Sequence, residues 1–246
     1  MKAKNKVALV TGGARRLGRD ISISLSDLGY DIVLNYNETG KNELEETLAE
    51  ISKRGVSVNA VKCDVSNVVQ VKKMFHSVYA KNKRLDVLIN NAAIFRHIDF
   101  LETTEKIFDK FIATNLKSTF FCSQEAAKIM LKGLEGTGRI INIASLGALE
   151  NWTGFIPYSL SKVGVVKLTQ QLAKRLAPKI LVNAISPGTI LIEKDENVTV
   201  NFEEEKKYPM KRFARSEDIT SLISFLVQSN NYITGQNFTV DGGRSL

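Results

Sequence analysis

Cysteine, histidine and long apolar runs are all scarce in this chain of 246 residues, and each scarcity excludes something. The two cysteines, Cys63 and Cys122, show no CxxC spacing, which excludes a disulfide framework and a zinc site. They read as reduced thiols in a cytoplasmic protein. The two histidines, His76 and His97, stand apart without ligand spacing, so they read as surface residues and no metal is expected. The first apolar run, Val7 to Val10, is four residues long, and no later run approaches the roughly 20 residues of a membrane span. Neither a secretory leader nor a membrane partner is therefore expected. The net charge is +8, which suits an anionic partner: nucleic acid, a phosphorylated cofactor or an acidic carrier protein. Yet no basic block is interleaved with aromatics, and the lysines are scattered beside Glu and Asp as on solvated helix faces. Nucleic acid is not expected.

What the chain does have is alternation. Apolar runs at 6–11 (KVALVT), 31–36 (DIVLNY), 56–63, 85–90 (LDVLIN), 138–144 (GRIINIA), 180–186 and 237–240 read as strands. Helical patterns lie between them at about 16–28, 40–54, 67–82, 103–132, 158–177 and 216–228. Ser66 and Ser216 read as N-caps, and Pro157 suits a first helical turn. The fourth helical stretch reads as one long or two consecutive helices with Asn115 in the middle, either merely tolerated or holding a bent backbone and a water. This rhythm predicts an α/β fold: a doubly wound, mainly parallel seven-stranded sheet with helices on both faces, in a single domain over 1–246. The charged stretch at about 190–212 breaks the rhythm and reads as a mobile substrate lid.

Ligands of such sheets bind beyond the C-terminal strand ends. Thr11-Gly12-Gly13-Ala14-Arg15-Arg16-Leu17-Gly18 joins the first strand to the first helix. Glycines there let a backbone approach a pyrophosphate, and the helix start offers free N–H groups. A plain strand-to-helix turn would want one glycine rather than three. An acid closing the second strand would bind the ribose 2′-hydroxyl of NAD. Here the strand closes on Asn35, followed by Tyr36 and Asn37, and the acid comes only at Glu38. Arg15 and Arg16, across the same pocket, suit a 2′-phosphate. The reading is NADP(H), with Glu38 pulling the other way. Asp64 is placed to meet an adenine. With Val65, Asn91, Ala92, Ala93, Pro187, Gly188, Thr189 and Ile190 it completes the expected cofactor contacts at strand ends. Tyr158 and Lys162 lie four residues apart, so phenol and ammonium share a helix face. Bringing a tyrosine from about 10 to near neutrality takes roughly 4 kcal/mol of preference for the phenolate. A cation one turn away supplies part of that. Alone, such a pair is more often a half-buried tyrosine beside a solvated lysine.

Taken in order, TGGARRLG at 11–18, NNAA at 90–93, Asn115, Ser145, YSLSK at 158–162 and SPG at 186–188 resemble the short-chain dehydrogenase/reductase family over the whole chain. The resemblance implies a Rossmann-type fold and an NADP-dependent oxidoreductase acting on CH–OH and C=O groups. It implies a catalytic group of Asn115, Ser145, Tyr158 and Lys162, the last two also touching the cofactor. In that scheme Tyr158 protonates the developing alkoxide and Ser145 stabilises it. Lys162 lowers the Tyr158 pKa and holds the ribose, and Asn115 holds a water. Arg16 replaces the middle glycine of the family's TGxxxGxG. That, with VDGGR at 240–244, is similar to the pteridine reductases. Ser145, where those carry Asp, and YITGQNFTVDGG at 232–243 are similar to the 3-oxoacyl-[acyl-carrier-protein] reductases. The expectation is NADPH-dependent reduction of a 3-oxoacyl thioester or related ketone, with pterin reduction as the alternative. A third reading is a dinucleotide-binding regulatory protein without turnover; the intact Ser145, Tyr158 and Lys162 stand against it. The arginines that dock a carrier protein in that group find no match near Gly136 or Pro178-Lys179. The family pairs its Asn115 and Tyr158 helices across a two-fold axis. The surplus of apolar residues on the sixth helix, Val163, Val166, Leu172 and Leu176 among them, agrees with a homotetramer or homodimer.

Overall fold

The computed structural model describes residues 5–133, 138–192 and 202–246; Gly136 and residues 193–201 of the expected lid lie outside them. Seven strands form one sheet: β1 (Val7–Val10), β2 (Asp31–Tyr36), β3 (Val58–Lys62), β4 (Val87–Asn90), β5 (Gly138–Ile143), β6 (Ile180–Pro187) and β7 (Asn237–Val240). Their order is β3-β2-β1-β4-β5-β6-β7, and every pairing is parallel. The expected doubly wound sheet is present, parallel throughout.

The central strands read as mainly apolar runs because both faces are covered. On one face lie α1 (Arg16–Asp27), α2 (Lys41–Ser52) and, at the far end of the chain, the helix Ser216–Gln228. They enclose Ile21, Leu25, Ile32, Leu34, Ile51, Ile223 and Leu226. On the other face are α3 (Val68–Asn82), α4 (Glu105–Phe111), α5 (Ser118–Gly133) and α6 (Ile156–Leu176), which makes the C-terminal helix α7. Val71, Phe75, Ala126, Met130 and Ala173 pack there. The winding direction reverses between β1 and β4, which opens a crevice at their C-terminal ends. Among the described residues no helix is long and apolar enough to cross a membrane.

Two local expectations need correction. Asn67, not Ser66, caps α3: its side-chain oxygen accepts from the N–H groups of Val69 and Gln70 at 3.0 and 3.2 Å. The Ser66 hydroxyl is spent on Asp64 at 2.7 Å. Ser216 is the first residue of α7 rather than its cap. Arg215 precedes it, with its N–H held by the Asp218 carboxylate at 2.8 Å, while the Ser216 hydroxyl donates to Asp20 of α1 at 2.5 Å. The stretch at 103–132, expected as one long or two consecutive helices, is two: α4 and α5, joined by a π-helical turn, Ile112–Lys117, with Asn115 inside it.

Candidate active site

The glycine loop after β1 is tied from three sides. Asn91 Nδ2 donates to the carbonyls of Thr11 and Gly12 at 3.0 and 3.2 Å. Asn35 Oδ1 accepts from Gly12 N at 3.3 Å, and Thr47 Oγ1 of α2 donates to Ala14 O at 2.8 Å. Gly18 lies so close to Gly12 that a Cβ would sit 2.0 Å from the Gly12 carbonyl oxygen, so a side chain is excluded. Arg16 stands at φ 52°, a left-handed conformation that costs a non-glycine residue roughly 1–2 kcal/mol. Arg15 and Arg16 are both exposed on the rim. A bare backbone, a helix start and two rim guanidinium groups fit a dinucleotide.

Asn35 does not face that pocket. It is 2% exposed, and its Nδ2 donates to Cys63 O at 2.8 Å, so it brackets the loop to β2 and β3. The strand closes on Tyr36 instead, half-buried, with Asn37 and Glu38 exposed beyond it. Leu17 and Val65 also turn their side chains into the core. Asp64 accepts from Ser66, while Ala92 N donates to Thr11 Oγ1 at 3.0 Å and Ala93 is exposed. On the opposite flank Pro187 is buried at the end of β6 and Gly188 packs on Asp241. Thr189 Oγ1 accepts from the Tyr208 hydroxyl at 3.0 Å, and Ile190 bridges to Ala214.

Ser145 leaves β5 just where α6 brings Tyr158 back over the sheet. Ser145 lies near enough to the phenol to lower its pKa, and Ser145 Oγ accepts from Gly147 N at 3.1 Å. Lys162, one turn on, is 3% exposed and has its Nζ 5.7 Å from the Tyr158 ring centroid. That Nζ donates to Ile143 O of β5 at 2.7 Å. Burial pushes the Tyr158 phenol up to about 12, and Ser145 recovers only part of this. Burial pulls Lys162 down to about 8. The expected lowering of the phenol by Lys162 is not seen here: burial dominates Tyr158, and the Lys162 ammonium is engaged by a strand carbonyl. Tyr158 stays protonated at neutral pH, as a proton donor must.

Asn115 is 1% exposed in the π turn. Its Oδ1 accepts from Ile94 N at 2.9 Å, and its Nδ2 donates to Ile94 O at 3.1 Å and to Ser161 Oγ at 3.0 Å. Ser161 Oγ donates in turn to Tyr158 O at 2.6 Å. Of the two readings of Asn115, the bent backbone is the one present, and it clamps the loop after β4 to α6 beneath Tyr158.

An aromatic wall stands over the phenol, and sequence reasoning missed it. Phe95 stacks on Phe155 at 4.6 Å and meets Tyr158 edge-on at 4.8 Å. Trp152 lies edge-on to both phenylalanines. Ile98 and Phe111 close the back. One signal was available: Trp152, Phe155 and Tyr158 recur every third residue, as side chains sharing one side of a tight helical turn do. His97 packs against Phe155 from an exposed position, and His76 is exposed.

A family model described as enoyl-(acyl carrier protein) reductase matches residues 12–245. A 3-oxoacyl-[acyl-carrier-protein] reductase of Staphylococcus aureus is 37% identical over 243 residues, 97% of either chain. A solved short-chain dehydrogenase/reductase of Serratia marcescens superposes with a TM-score of 0.90 at 29% identity, covering 99% of both chains. A 3-oxoacyl-[acyl-carrier protein] reductase of Brucella melitensis, solved in complex with NAD, gives 0.89 at 27% identity, covering 99% of this chain and 98% of that one.

Proposed function

The chain belongs to the short-chain dehydrogenase/reductase family of oxidoreductases, and from that premise we propose that it reduces a 3-oxoacyl thioester or a related ketone with NADPH. The observation that carries this reading is a serine, Ser145, beside the Tyr158 phenol under an apolar and aromatic cluster. A bound nicotinamide supplies the hydride. Tyr158, kept protonated by burial, gives its proton to the developing alkoxide, and Ser145 hydrogen-bonds that oxygen as its charge grows. Lys162 holds the ribose and, with a pKa near 8, returns a proton toward Tyr158. Asn115 keeps the loop after β4 and α6 in register around them. The glycine loop, Asn91 and the β6 end from Pro187 to Ile190 hold the dinucleotide. Arg15 and Arg16 face its 2′-phosphate, against which the exposed Glu38 competes.

Pterin reduction is the second reading. It is favoured by the exposed Phe95 ring beside Tyr158, on which a flat heterocycle can stack. The deciding experiment compares kcat/KM for an acetoacetyl thioester and for dihydrobiopterin, with NADPH and NADH, in the parent, Ser145→Asp and Arg16→Ala. The thioester is the expected preference of the parent. Losing one charged hydrogen bond should weaken NADPH by about tenfold or more in Arg16→Ala, and NADH much less. A parent that prefers the pterin by about tenfold, a margin worth only 1.4 kcal/mol, replaces the first reading with the second. Tighter NADH binding in the parent shows that Glu38 prevails. Self-association is proposed through α5 and α6, which expose Phe120, Leu131, Leu160 and Val163. Light scattering that finds a stable monomer at micromolar concentration refutes it.

A further inference from the structure

Beyond β7 the chain turns back through Asp241, Gly242 and Gly243. Both glycines are left-handed, at φ 63° and 82°, a pair that side-chain-bearing residues adopt only under strain. The Asp241 carboxylate holds the turn by accepting from Gly243 N at 3.0 Å and Ser245 N at 2.8 Å. Met210 N donates to Gly242 O at 3.1 Å, and Gly243 packs on Pro209.

The turn delivers Arg244 to three partners. Its Nε donates to Glu150 Oε1 at 3.4 Å, its Nη1 lies 3.6 Å from Glu204 Oε2, and its guanidinium sits 5.3 Å from the Tyr208 ring centroid. Two of these partners lead into the pocket. Glu150 Oε2 accepts from Trp152 Nε1 at 2.7 Å. The Trp152 ring covers Gly147, where a Cβ would lie 2.7 Å from Trp152 Cε3, and Gly147 N binds Ser145 Oγ. On the other side the Tyr208 hydroxyl donates to Thr189 in the turn after β6. Singly, such half-exposed ion pairs contribute little to stability. Their common feature is where they lead.

We propose that Arg244 is a positioning residue for the substrate pocket. It holds Trp152 and the segment from Glu204 to Tyr208 as one continuous wall, and so governs how tightly substrate is held rather than how fast it reacts. Only the kinetic arm of the test rests on the ketone-reductase reading.

Trp152 is the only tryptophan of the chain, so its emission reports the wall without any substrate. The experiment compares the parent with Arg244→Gln, Arg244→Lys and Glu150→Gln. In Arg244→Gln the Trp152 emission moves to longer wavelength, KM for an acetoacetyl thioester rises about tenfold, and kcat stays within about threefold. Arg244→Lys recovers part of the KM, and Glu150→Gln moves emission and KM in the same direction as Arg244→Gln. A merely structural role would instead lower the thermal midpoint without separating KM from kcat. Unchanged emission overturns the proposal, and so does an emission shift with KM unmoved. If the parent turns over neither thioester nor ketone, the reductase reading fails, and the emission of the variants alone decides on Arg244.

Discussion

The pocket has two banks, built by different means. On the β1–β3 side, short polar side chains are spent on main chain: Asn35 on Gly12 and Cys63, Asn91 on Thr11 and Gly12, Thr47 on Ala14. On the β5–β7 side the wall is made of rings and long charged side chains: Phe95 on Phe155, Trp152 on Glu150, Arg244 on Glu150 and Glu204. A hydrogen bond from a short side chain to a carbonyl tolerates almost no change of residue. A ring stack or a half-exposed ion pair can be rebuilt with other residues while the sheet beneath stays put. The first bank suits a ligand that does not vary, and the second a ligand that does.

Four experiments break or sharpen this contrast. The largest effect belongs to the meeting point of the banks. Tyr158→Phe should lower turnover by about a hundredfold or more, because general acid catalysis is typically worth 10²–10⁴-fold. Cofactor affinity should stay near that of the parent. Steady-state rates beside a cofactor titration check this, and near-normal turnover would remove Tyr158 from the chemistry.

Next is Lys162, whose pKa is depressed from 10.5 to about 8 by burial. Between those values the unfolded chain binds a proton that the folded one does not, so stability rises with pH across that window and is lost again as pH falls through 8. The span corresponds to roughly 3 kcal/mol. Urea unfolding without cofactor, from pH 7.5 to 10.5, should show the parent gaining on Lys162→Met by about that amount. The difference between the two proteins cancels the opposite drift from Cys63, which burial pushes up to about 11. A flat difference would mean that Lys162 is better solvated than its 3% exposure implies.

The third tests the first bank directly. Asn35→Asp places an acid at the position where a carboxylate would bind a ribose, yet the side chain is buried against Cys63 O and Val61 O. It should cost roughly 2–3 kcal/mol in the urea midpoint, from a charge aimed at carbonyls and a lost donor, without converting the protein to NADH. A clean switch of cofactor would show that the side chain can turn outward. The smallest effect is expected at the rim. Arg16→Gly relieves the left-handed strain and should raise stability by about 1 kcal/mol, where Arg16→Ala does not. Equal melting temperatures for the two variants would refute the strain.

How much of this could be read in the chain follows the same division. The sheet was legible because strands covered on both faces are mainly apolar, as VALV of β1 is throughout. The glycine loop and the Tyr158–Lys162 pair were legible because spacing alone places them. The direction of Asn35 was not: alternation identifies the solvent face only when one exists, and β2 has none at that residue. The N-cap of α3 was missed by one residue because Ser66 and Asn67 are both competent caps, and only Asp64 decides between them. Spacing put Lys162 beside Tyr158, but the direction of their pKa shifts depends on burial. The second bank joins residues such as Phe95 with Phe155 and Glu150 with Arg244, far apart in sequence, and no local pattern announces those meetings.

The π-helical turn at Ile112–Lys117 has a consequence for how this chain tolerates change in length. Such a turn amounts to one residue inserted into an α-helix, and its widening absorbs the rotation of about 100° that the residue would otherwise add. The side of α5 that meets the sheet, with Ala126 and Met130, therefore keeps its phase to α4 across the extra residue. Losing one residue from the turn would return it to ordinary α-helical winding, with α4 and α5 still in phase but without the widened turn that places Asn115. The loss would carry Asn115 away from Ile94 and Ser161 even if every side chain of the site were retained. Over this stretch the number of residues shapes the site as much as their kinds do.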